Sequence, residues 1–445
     1  MKNVLSSAKN WIRHPMIVLF FIITILMLPN AINLNSISFR SAIVVGIGAD
    51  LIDDQIELSV AINISSTTES LSENTKIITT KGQTIADAMA NASILIGRTM
   101  RLWHTRFVVI GENLAKDEVS LLMDSAIRTN KMRNTVQLIF TNSSIKDLFN
   151  VGIQLKSQTG LNLSDLICHE NSTSTTKISS NIDSFYKGLF SESEISKINA
   201  VNMTSDITKG INPASDVSGG LSSSGGSAGS SSSESSSQSS SSGGADPTDS
   251  SSSEGGTNSS GSSVKDSFIS NDEGIAVFKK GKFVRLLSKD EAMGLNWINN
   301  EYVPKKLMVE TNNNGDLSNS IVNFEILKKD VKIETFFKDG KPFYSIKVYM
   351  HVDLDEIVSN LKGDVTANHE TIDKYVKSSV GRKIRQDLSQ SFNIAKQEKI
   401  DIFEFNTKFY QNNKKEYEKY IKNGNSKDDL IEDTQVACDV EIKII

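Results

Sequence analysis

The residue types that could do chemistry are few in this sequence, and they lie far apart. Gly46 and Gly48 have the spacing that opens a phosphate-binding loop, but no third glycine starts a helix after them, so a strand end with a tight turn is the favoured interpretation. Cys168 and His169 are neighbours in a polar stretch, whereas a nucleophile and its base usually come together from separate parts of a chain. Neither pattern indicates catalysis.

Metal and redox chemistry have no stronger support. His351 and Asp353 would share one face of a strand, but no third ligand is evident near them. His104 stands between a tryptophan and a predicted strand, and we expect it to be structural or partly buried rather than a ligand. Cys168 and Cys438 are the two cysteines, so the sequence holds no CxxC site, and it leaves open whether they form a disulfide. We therefore expect no catalytic residue, no cofactor and no metal site.

Length and charge narrow the class of protein. The chain has 445 residues, enough for two or three domains, and its formal net charge is -5. Aromatic residues make up 7% of it, and no basic stripe interleaves with them, which argues against nucleic-acid binding.

The apolar stretch Met16–Leu34 could be a buried core helix, a cleaved signal peptide or a retained membrane helix. About 20 apolar residues span a bilayer, so the stretch is just long enough. Pro29 and Ala31 would be the −3 and −1 residues of a cleavage site, and proline is poor at that position. Three basic residues before it favour an N-terminus inside and export of the rest of the chain: Lys2, Lys9 and Arg13. We predict a signal or anchor segment over residues 1–34 that stays as a transmembrane helix, with cleavage as the open alternative.

A serine- and glycine-rich segment, Ser218–Ser263, interrupts the chain. It contains one leucine and no aromatic residue, so it cannot bury enough surface to offset the entropy of ordering. As a flexible coil its ends would lie roughly 35–40 Å apart. We predict a disordered insertion within a middle region, 161–301. A glycosylated, mucin-like stalk is the alternative, and the scarcity of proline argues against it.

Residues 41–160 alternate predicted strands and helices, which is typical of an α/β domain. Apolar alternation within Ser41–Ile64 predicts two strands joined by a turn at Asp50–Asp54. Thr84, with Asp87 three residues on, predicts the N-cap of a helix. The other predicted elements are a strand at Arg106–Glu112, a helix at Leu114–Arg128, a strand at 134–140 and a short helix at Ser144–Phe149.

The rest of the folded chain groups its helices and strands, which favours an α+β domain over residues 302–445. Gly274–Glu301 predicts a hairpin that runs into a helix, with Ser288 and Glu291 as its capping box. Further predicted elements are strands at Ser320–Leu327, Val331–Phe337 and Phe343–Val352, a turn at Asp339–Pro342, a long helix at His369–Lys399 and a closing strand at 434–445.

Four sequence patterns, in order, resemble the Ger(x)C family, the C subunits of bacterial spore germinant receptors. They are VVGIGAD; KGQTIADAM with HTRFVVIGENLA; IAVFKKGKFVRLLSKDEAMGLNW; and DIFEFN, which is similar to the family's D-I-F-G-F-G. The matching residues are Gly82, Thr84, Ile85, Ala88, His104, Ile110, Gly111, Glu112, Ala115, Phe278, Glu291, Trp297 and Asp401. Each pattern alone is loose, but together they extend over roughly residues 41–410.

The resemblance implies a three-domain lipoprotein of mixed α/β and α+β structure on the outer face of the spore's inner membrane. Such a subunit is non-enzymatic, takes part in nutrient-triggered germination and works with two integral-membrane subunits, the A and B types. The family's motif residues look structural, and the resemblance leaves open whether this subunit touches the germinant. The alternative is another exported, membrane-anchored protein that binds a solute or the cell wall.

Two departures from the family pattern bear on these expectations. Asn406 stands where the last pattern ends in glycine, and asparagine tolerates the positive φ that such a turn would need. The family's lipobox cysteine is missing, because Ala31 or Ile32 stands in its place after Leu28. Without a thiol, diacylglycerol has no attachment point, so we expect the apolar helix to replace the lipid as the anchor.

Overall fold

A computed structural model describes the fold of the protein in twelve segments. They are residues 19–24, 41–64, 74–117, 119, 132–159, 163–168, 177–204, 267–270, 273–299, 306–311, 320–358 and 369–445. The predicted insertion lies outside these ranges, and so does the predicted anchor except for residues 19–24, which are helical. Within the described part of the chain, no helix is long and apolar enough to cross a bilayer.

The larger sheet has nine strands, all drawn from residues 41–287. The strands in this part of the chain are β1 (Ser41–Ile52), β2 (Gln55–Ile64), β3 (Asn74–Gly82), β4 (Thr99–Arg101), β5 (Phe107–Gly111), β6 (Gln137–Thr141), β7 (Ile195–Ala200), β8 (Asn202–Thr204), β9 (Phe268–Ser270), β10 (Ile275–Lys279) and β11 (Lys282–Leu287). Eight of the nine lie in the order β11-β10-β7-β6-β5-β1-β2-β3, and β4 pairs with β1. The four central strands β7, β6, β5 and β1 are parallel, and β4 is parallel to β1. The outer strands β2, β3, β10 and β11 are antiparallel to their neighbours.

The β1–β2 hairpin confirms the two strands and the turn expected from apolar alternation. Leu58, Val60 and Ile62 of β2 are fully buried on one face, as a period of two requires. Asp53 and Asp54 form the two-residue turn with φ of 54° and 57°, and a turn with positive φ at both positions matches the twist of the strands it joins.

Helices cover both faces of the larger sheet. On one face lie α1 (Ile85–Ile96), α2 (Glu112–Asp117) and α5 (Ile182–Leu189), and on the other lie α3 (Ile145–Thr159) and α4 (Leu163–Cys168). Helix α3 is longer than the predicted Ser144–Phe149, because the apolar spacing continues through buried Val151 to Leu155. The sheet and the two layers of helices therefore form a three-layer α/β unit.

The smaller sheet has the order β12-β13-β14-β15. Its strands are β12 (Lys306–Thr311), β13 (Ser320–Lys338), β14 (Lys341–Val358) and β15 (Gln435–Ile444). The expected Ser320–Leu327 and Val331–Phe337 are one strand rather than two, because a register shift between Ile326 and Lys328 absorbs the irregular residues without ending the ladder. The turn at Asp339 and Gly340, with φ of 51° and 78°, confirms the predicted one.

Five helices pack with the smaller sheet: α6 (Lys289–Ile298), α7 (His369–Glu398), α8 (Phe405–Asn412), α9 (Lys414–Lys422) and α10 (Lys427–Asp433). The long helix and the closing strand β15 were expected, and β15 pairs parallel with β14. The three short helices were not expected. Their apolar residues join those of β7, β10 and β11 in one core cluster, so the two sheets share buried surface. The domain bounds at 160 and 301 stay a prediction, and strands from both sides of residue 160 lie in the larger sheet.

A separate two-stranded ladder brackets the serine- and glycine-rich insertion. Strand β8 pairs antiparallel with β9, and Thr204 lies opposite Phe268. Paired residues of an antiparallel ladder have Cα atoms about 5 Å apart. Residues 205–267 therefore leave and rejoin the fold at neighbouring points, much closer than the ends of a free coil of that length.

Candidate functional site: the junction around Asp401

The junction between the two sheets is organised by a buried carboxylate, Asp401, in the turn after α7. Its two oxygens accept hydrogen bonds from the backbone N–H groups of Phe405 at 2.6 Å and Asn406 at 2.8 Å. These are the first N–H groups of α8, which have no partner within the helix, so the carboxylate caps the helix and faces its positive end. Asp401, a residue of the DIFEFN pattern, thus fixes where α8 begins.

Burial raises the pKa of the Asp401 carboxyl above its usual value, and hydrogen bonds from Ser193, Asn406 and Phe405 oppose that rise. The side chain of Asn406 adds one of these bonds, from Nδ2 to Asp401 at 3.0 Å. The same Nδ2 donates to the carbonyl of Lys427 at 3.1 Å, and the hydroxyl of Tyr417 donates to Asn406 Oδ1 at 3.1 Å. Asn406 therefore connects the capped turn with α9 and α10.

Glu404 carries the left-handed backbone of this turn, with φ of 60° and ψ of 37°. The expectation that Asn406 would take the positive φ is wrong, because Asn406 lies inside α8. In the D-I-F-G-F-G pattern Glu404 occupies the position of the first glycine, where a residue without a Cβ would adopt this conformation at no cost. The glutamate is held there by a contact that glycine could not make.

That contact joins the two sheets. Lys197 of β7 donates from Nζ to Glu404 Oε1 at 2.6 Å and to the carbonyl of Ile402 at 3.1 Å. The ammonium of Lys197 lowers the pKa of the Glu404 carboxyl, although burial acts in the opposite direction. The lysine comes from the larger sheet, and its acceptors come from the turn that precedes α8.

A reciprocal pair of hydroxyls forms a second bridge. The N–H of Ser193 donates to Thr407 Oγ1 at 3.1 Å, and the N–H of Thr407 donates to Ser193 Oγ at 3.2 Å. The two hydroxyl oxygens are 2.8 Å apart. Next to them, Lys427 Nζ lies 2.8 Å from the carbonyl of Glu192 and 2.9 Å from its carboxylate. The turn before β7 is thus attached to α8 and α10 at several points.

Glu291 fixes the start of α6, and Trp297 attaches α6 to α7. Glu291 completes the predicted capping box with Ser288, and Arg285 donates to its carboxylate at 2.9 Å. The fully buried Trp297 donates its indole N–H to Asp387 at 2.9 Å, and Lys383 reaches the other oxygen of Asp387 at 2.7 Å. The predicted residues therefore fix helix packing here.

The family-type residues of the larger sheet also make internal contacts. Thr84 caps α1, as expected, by accepting from the N–H of Asp87. A Cβ on Gly82 would lie 2.4 Å from the backbone nitrogen of Ala88, so glycine lets β3 approach the first turn of α1. The remaining matches are buried or partly buried at Ile85, Ile110, Ala115 and Phe278, and Glu112 forms an ion pair with Lys116 at 2.7 Å.

Gly111 and Asp50 link two of the sequence patterns. Asp50 Oδ1 accepts from the N–H of Leu114 at 3.0 Å, in the first turn of α2. A Cβ on Gly111 would lie 2.2 Å from the Asp50 carboxyl carbon. Glycine at 111 therefore leaves room for the carboxylate that caps the next helix.

The candidate chemical residues that the structure describes are not brought together. His104 is exposed in a 3-10 turn, Leu102–His104, so the expectation that it is partly buried is wrong. In the described segments, no three His, Cys, Asp or Glu residues form a group that could hold a metal ion, and His169 lies outside them. Cys168 and Cys438 are not joined in a disulfide and pack against different core clusters, and burial raises the pKa of Cys438 to about 11.

Sequence reasoning missed most of the junction. Lys197, Ser193 and Thr407 stand in stretches whose local pattern is ordinary, and only the fold brings them together. Glu404 did carry a signal, because it replaces a glycine of the family pattern. Chemically, the arrangement can cap helices and hold two sheets in a fixed relationship.

Comparison with known families finds two matches in this chain. Residues 40–198 match the family described as spore germination protein N-terminal domain, and residues 273–445 match the one described as spore germination B3/GerAC like, C-terminal. These two domains in this order define a class of spore germination proteins. The chain belongs to the Ger(x)C family of that class.

Two relatives illustrate how far the sequence has diverged. The chain is 19% identical to spore germination protein KC of Bacillus subtilis (strain 168) over 343 residues, which cover 76% of this chain and 71% of that protein. It is also similar to the crystal structure of the GerBC protein, with 16% identity and a TM-score of 0.47 over 90% of this chain and 97% of that one.

Proposed function

We propose that this protein is a non-enzymatic C subunit of a spore germinant receptor and acts in nutrient-triggered germination at the spore inner membrane. The observation that carries the proposal is the ordered pair of germination-protein domains over residues 40–198 and 273–445. Its proposed partners are two integral-membrane subunits, the A and B types.

The contacts of the motif residues support a structural rather than a chemical role. Asp401, Glu291 and Gly111 serve helix starts, and Lys197 with Glu404 connects the two sheets. A scaffold needs this kind of fixed internal geometry, because partners can dock on it only if its surfaces keep their relative positions.

The proposal includes a membrane anchor at Met16–Leu34, with the folded part on the outer side. It is supported by the length of the apolar stretch, by the basic residues that precede it and by the absence of a cysteine around Ala31. The decisive measurement is the mass of the N-terminal peptide from the membrane fraction. A peptide that begins at Met1 supports the anchor, and a mature chain that starts near Ile32 contradicts it.

The receptor role is tested by deleting the gene in the spore-forming host. Spores without the protein should lose the response to at least one nutrient, measured as the fall in optical density, and the wild-type gene should restore it. A tagged chain should also co-purify with two polytopic membrane proteins. Wild-type germination with every nutrient, and purification without such partners, would refute the proposal.

A further inference from the structure

Four apolar side chains are exposed at the end of the larger sheet at which β1 begins. The exposed fractions are 76% for Ile94, 68% for Leu95, 59% for Trp103 and 36% for Ile43. We refer to these four residues as the Trp103 patch. Apolar groups that are exposed together mark an interaction surface more often than single exposed residues do.

Adjoining segments carry the four residues: the end of α1, β4 with its partner β1, and the 3-10 turn after β4. Ile94 and Leu95 lie in the last turn of α1, which ends at Gly97 with φ of 64°. The chain then forms β4, which pairs Arg101 with Ile43 of β1, and continues into the 3-10 turn that carries Trp103. Met100 and Leu102 are buried on either side of this path, so the turn is held by the core while Trp103 points outward.

Basic residues accompany the patch. Arg101 is exposed beside Ile43 and donates from Nε to the hydroxyl of Ser41 at 3.3 Å. Arg98 follows Gly97, and His104 is exposed next to Trp103. An indole, branched aliphatic groups and guanidinium groups on these adjoining segments suit the headgroup region of an anionic bilayer, where tryptophan is enriched and cations are attracted.

The sequence before β1 keeps this surface near a membrane. Leu34, the last residue of the proposed anchor, is seven peptide units from Ser41. Fully extended, that length of chain reaches about 25 Å at most. The start of β1 then lies within that distance of the end of the anchor, and the segments that carry the Trp103 patch adjoin the start of β1.

We propose that the Trp103 patch docks on the outer leaflet of an anionic membrane and orients the folded part of the protein on the bilayer. This inference rests on the proposed anchor of residues 16–34. It assigns a second membrane contact to the folded part, formed by the end of α1, the start of β1 and the turn at Trp103.

The test uses the full chain in vesicles of phosphatidylcholine and phosphatidylglycerol whose acyl chains are brominated near the headgroup. The chain has three tryptophans, and Trp11→Phe leaves Trp103 and the fully buried Trp297 as the emitters. Bromolipids should quench a large part of this emission, and Trp103→Phe should abolish the quenching. Leu95→Asp and the pair R98Q/R101Q should weaken it. Leu327→Asp is the matched control, because Leu327 is 51% exposed but lies in β13 of the smaller sheet. It should leave the quenching unchanged.

Flotation of the vesicles separates failure of the patch from failure of the anchor. Protein that floats with the vesicles while Trp103 stays unquenched overturns the docking proposal and leaves the anchor standing. Protein that does not float overturns the anchor and the docking together. A third result also overturns lipid docking: no quenching in vesicles of lipid alone, with Trp103 shielded only when the membrane subunits are reconstituted as well. That result would indicate a protein contact. Melting curves verify that each variant is folded.

Discussion

Lys197 and Glu404 form a 2.6 Å ion pair between the larger sheet and the turn before α8, and Glu404 adopts a left-handed backbone conformation while making it. A non-glycine residue in that conformation costs roughly 1–2 kcal/mol. The contact with Lys197 and the capped start of α8 offset this cost. The strained residue therefore lies in the contact that holds β7 against the turn before α8.

Replacing Glu404 separates the strain from the ion pair. Glu404→Ala keeps the strained φ and loses the contact, whereas Glu404→Gly loses the contact but relieves the strain. We expect E404G to be about 1 kcal/mol more stable than E404A in urea unfolding. Lys197→Met is the matched control, because it removes the contact from the other side. Equal stability of E404A and E404G would contradict the strain argument.

The buried Lys329 predicts a pH-dependent stability. Its ammonium donates to the carbonyls of Asn296 and Asn299 at the end of α6, and burial lowers its pKa from 10.5 to about 7. Between these two pH values the unfolded chain binds more protons than the folded one, so raising the pH from 7 towards 10 should stabilise the fold. Lys329 alone can raise the free energy of unfolding by at most about 1.4 kcal/mol per pH unit in this range.

Urea unfolding at several pH values measures this slope, and Lys329→Met should reduce it. Lys347→Met, at an exposed position of the neighbouring strand, is the control and should retain the wild-type slope. An unchanged slope in Lys329→Met would show that this lysine is not its source.

Gly111 and Asp50 should behave as a coupled pair. Gly111→Ala places a Cβ 2.2 Å from the Asp50 carboxyl carbon, and overpacking of this kind costs about 1–3 kcal/mol. Asp50→Ala removes the carboxyl, which is the nearest obstacle, together with the cap on α2, and it leaves its own Cβ 2.6 Å from the new one. The alanine at 111 should therefore cost less in the Asp50→Ala background than in the wild type, measured by thermal unfolding. Additive effects would mean that the two residues do not compete for the same space.

Local structure could largely be predicted from the sequence, and the assembly of the elements could not. The turn predicted at Asp50–Asp54 and the caps at Thr84 and Ser288 depend on residues within four positions; the structure confirms the caps and places the turn at Asp53 and Asp54, after β1 has continued to Ile52. The pairing of β7 with β10 joins distant residues, and their apolar pattern fits many partners. Helices α8 to α10 have 8, 9 and 7 residues, so each has too few turns for a helical period to be detected in the sequence.

The junction was hidden for a related reason. Ion pairs between residues far apart in sequence, such as Lys197 and Glu404, leave no spacing that sequence analysis can detect. The positive φ was assigned to Asn406 because asparagine tolerates it best, yet Glu404 adopts it, because tertiary contacts override the intrinsic preference.

Deleting Ser218–Ser263 should leave the thermal midpoint almost unchanged. Strands β8 and β9 pair on either side of the insertion, and the residues that remain are enough to connect them. Shortening a loop changes its closure entropy only slowly with length. Differential scanning calorimetry of the deletion variant checks this expectation. A midpoint lower by more than a few degrees would show that the insertion packs on the fold.

The candidate chemical residues predict a negative result in spores. If the subunit is non-enzymatic, Cys168→Ala and His351→Ala should each restore nutrient germination in the deletion strain to the wild-type rate. Glu404→Ala, at the junction, is the informative comparison. Loss of germination with Cys168→Ala or His351→Ala, in a protein that accumulates normally, would reopen the case for chemistry at those residues.

The parallel pairing of β15 with β14 has a consequence for how a newly made chain folds. Phe343 pairs with Gln435, and Val352 pairs with Ile444. In the sequence, helices α7 to α10 all come between these two paired strands. As the polypeptide emerges from the ribosome, β14 keeps one edge unpaired until the last of these residues has been synthesised. An unpaired strand edge invites association with another chain. A nascent chain that stalls before Gln435 would be a target for chaperones or for aggregation, even though its larger sheet could already be complete.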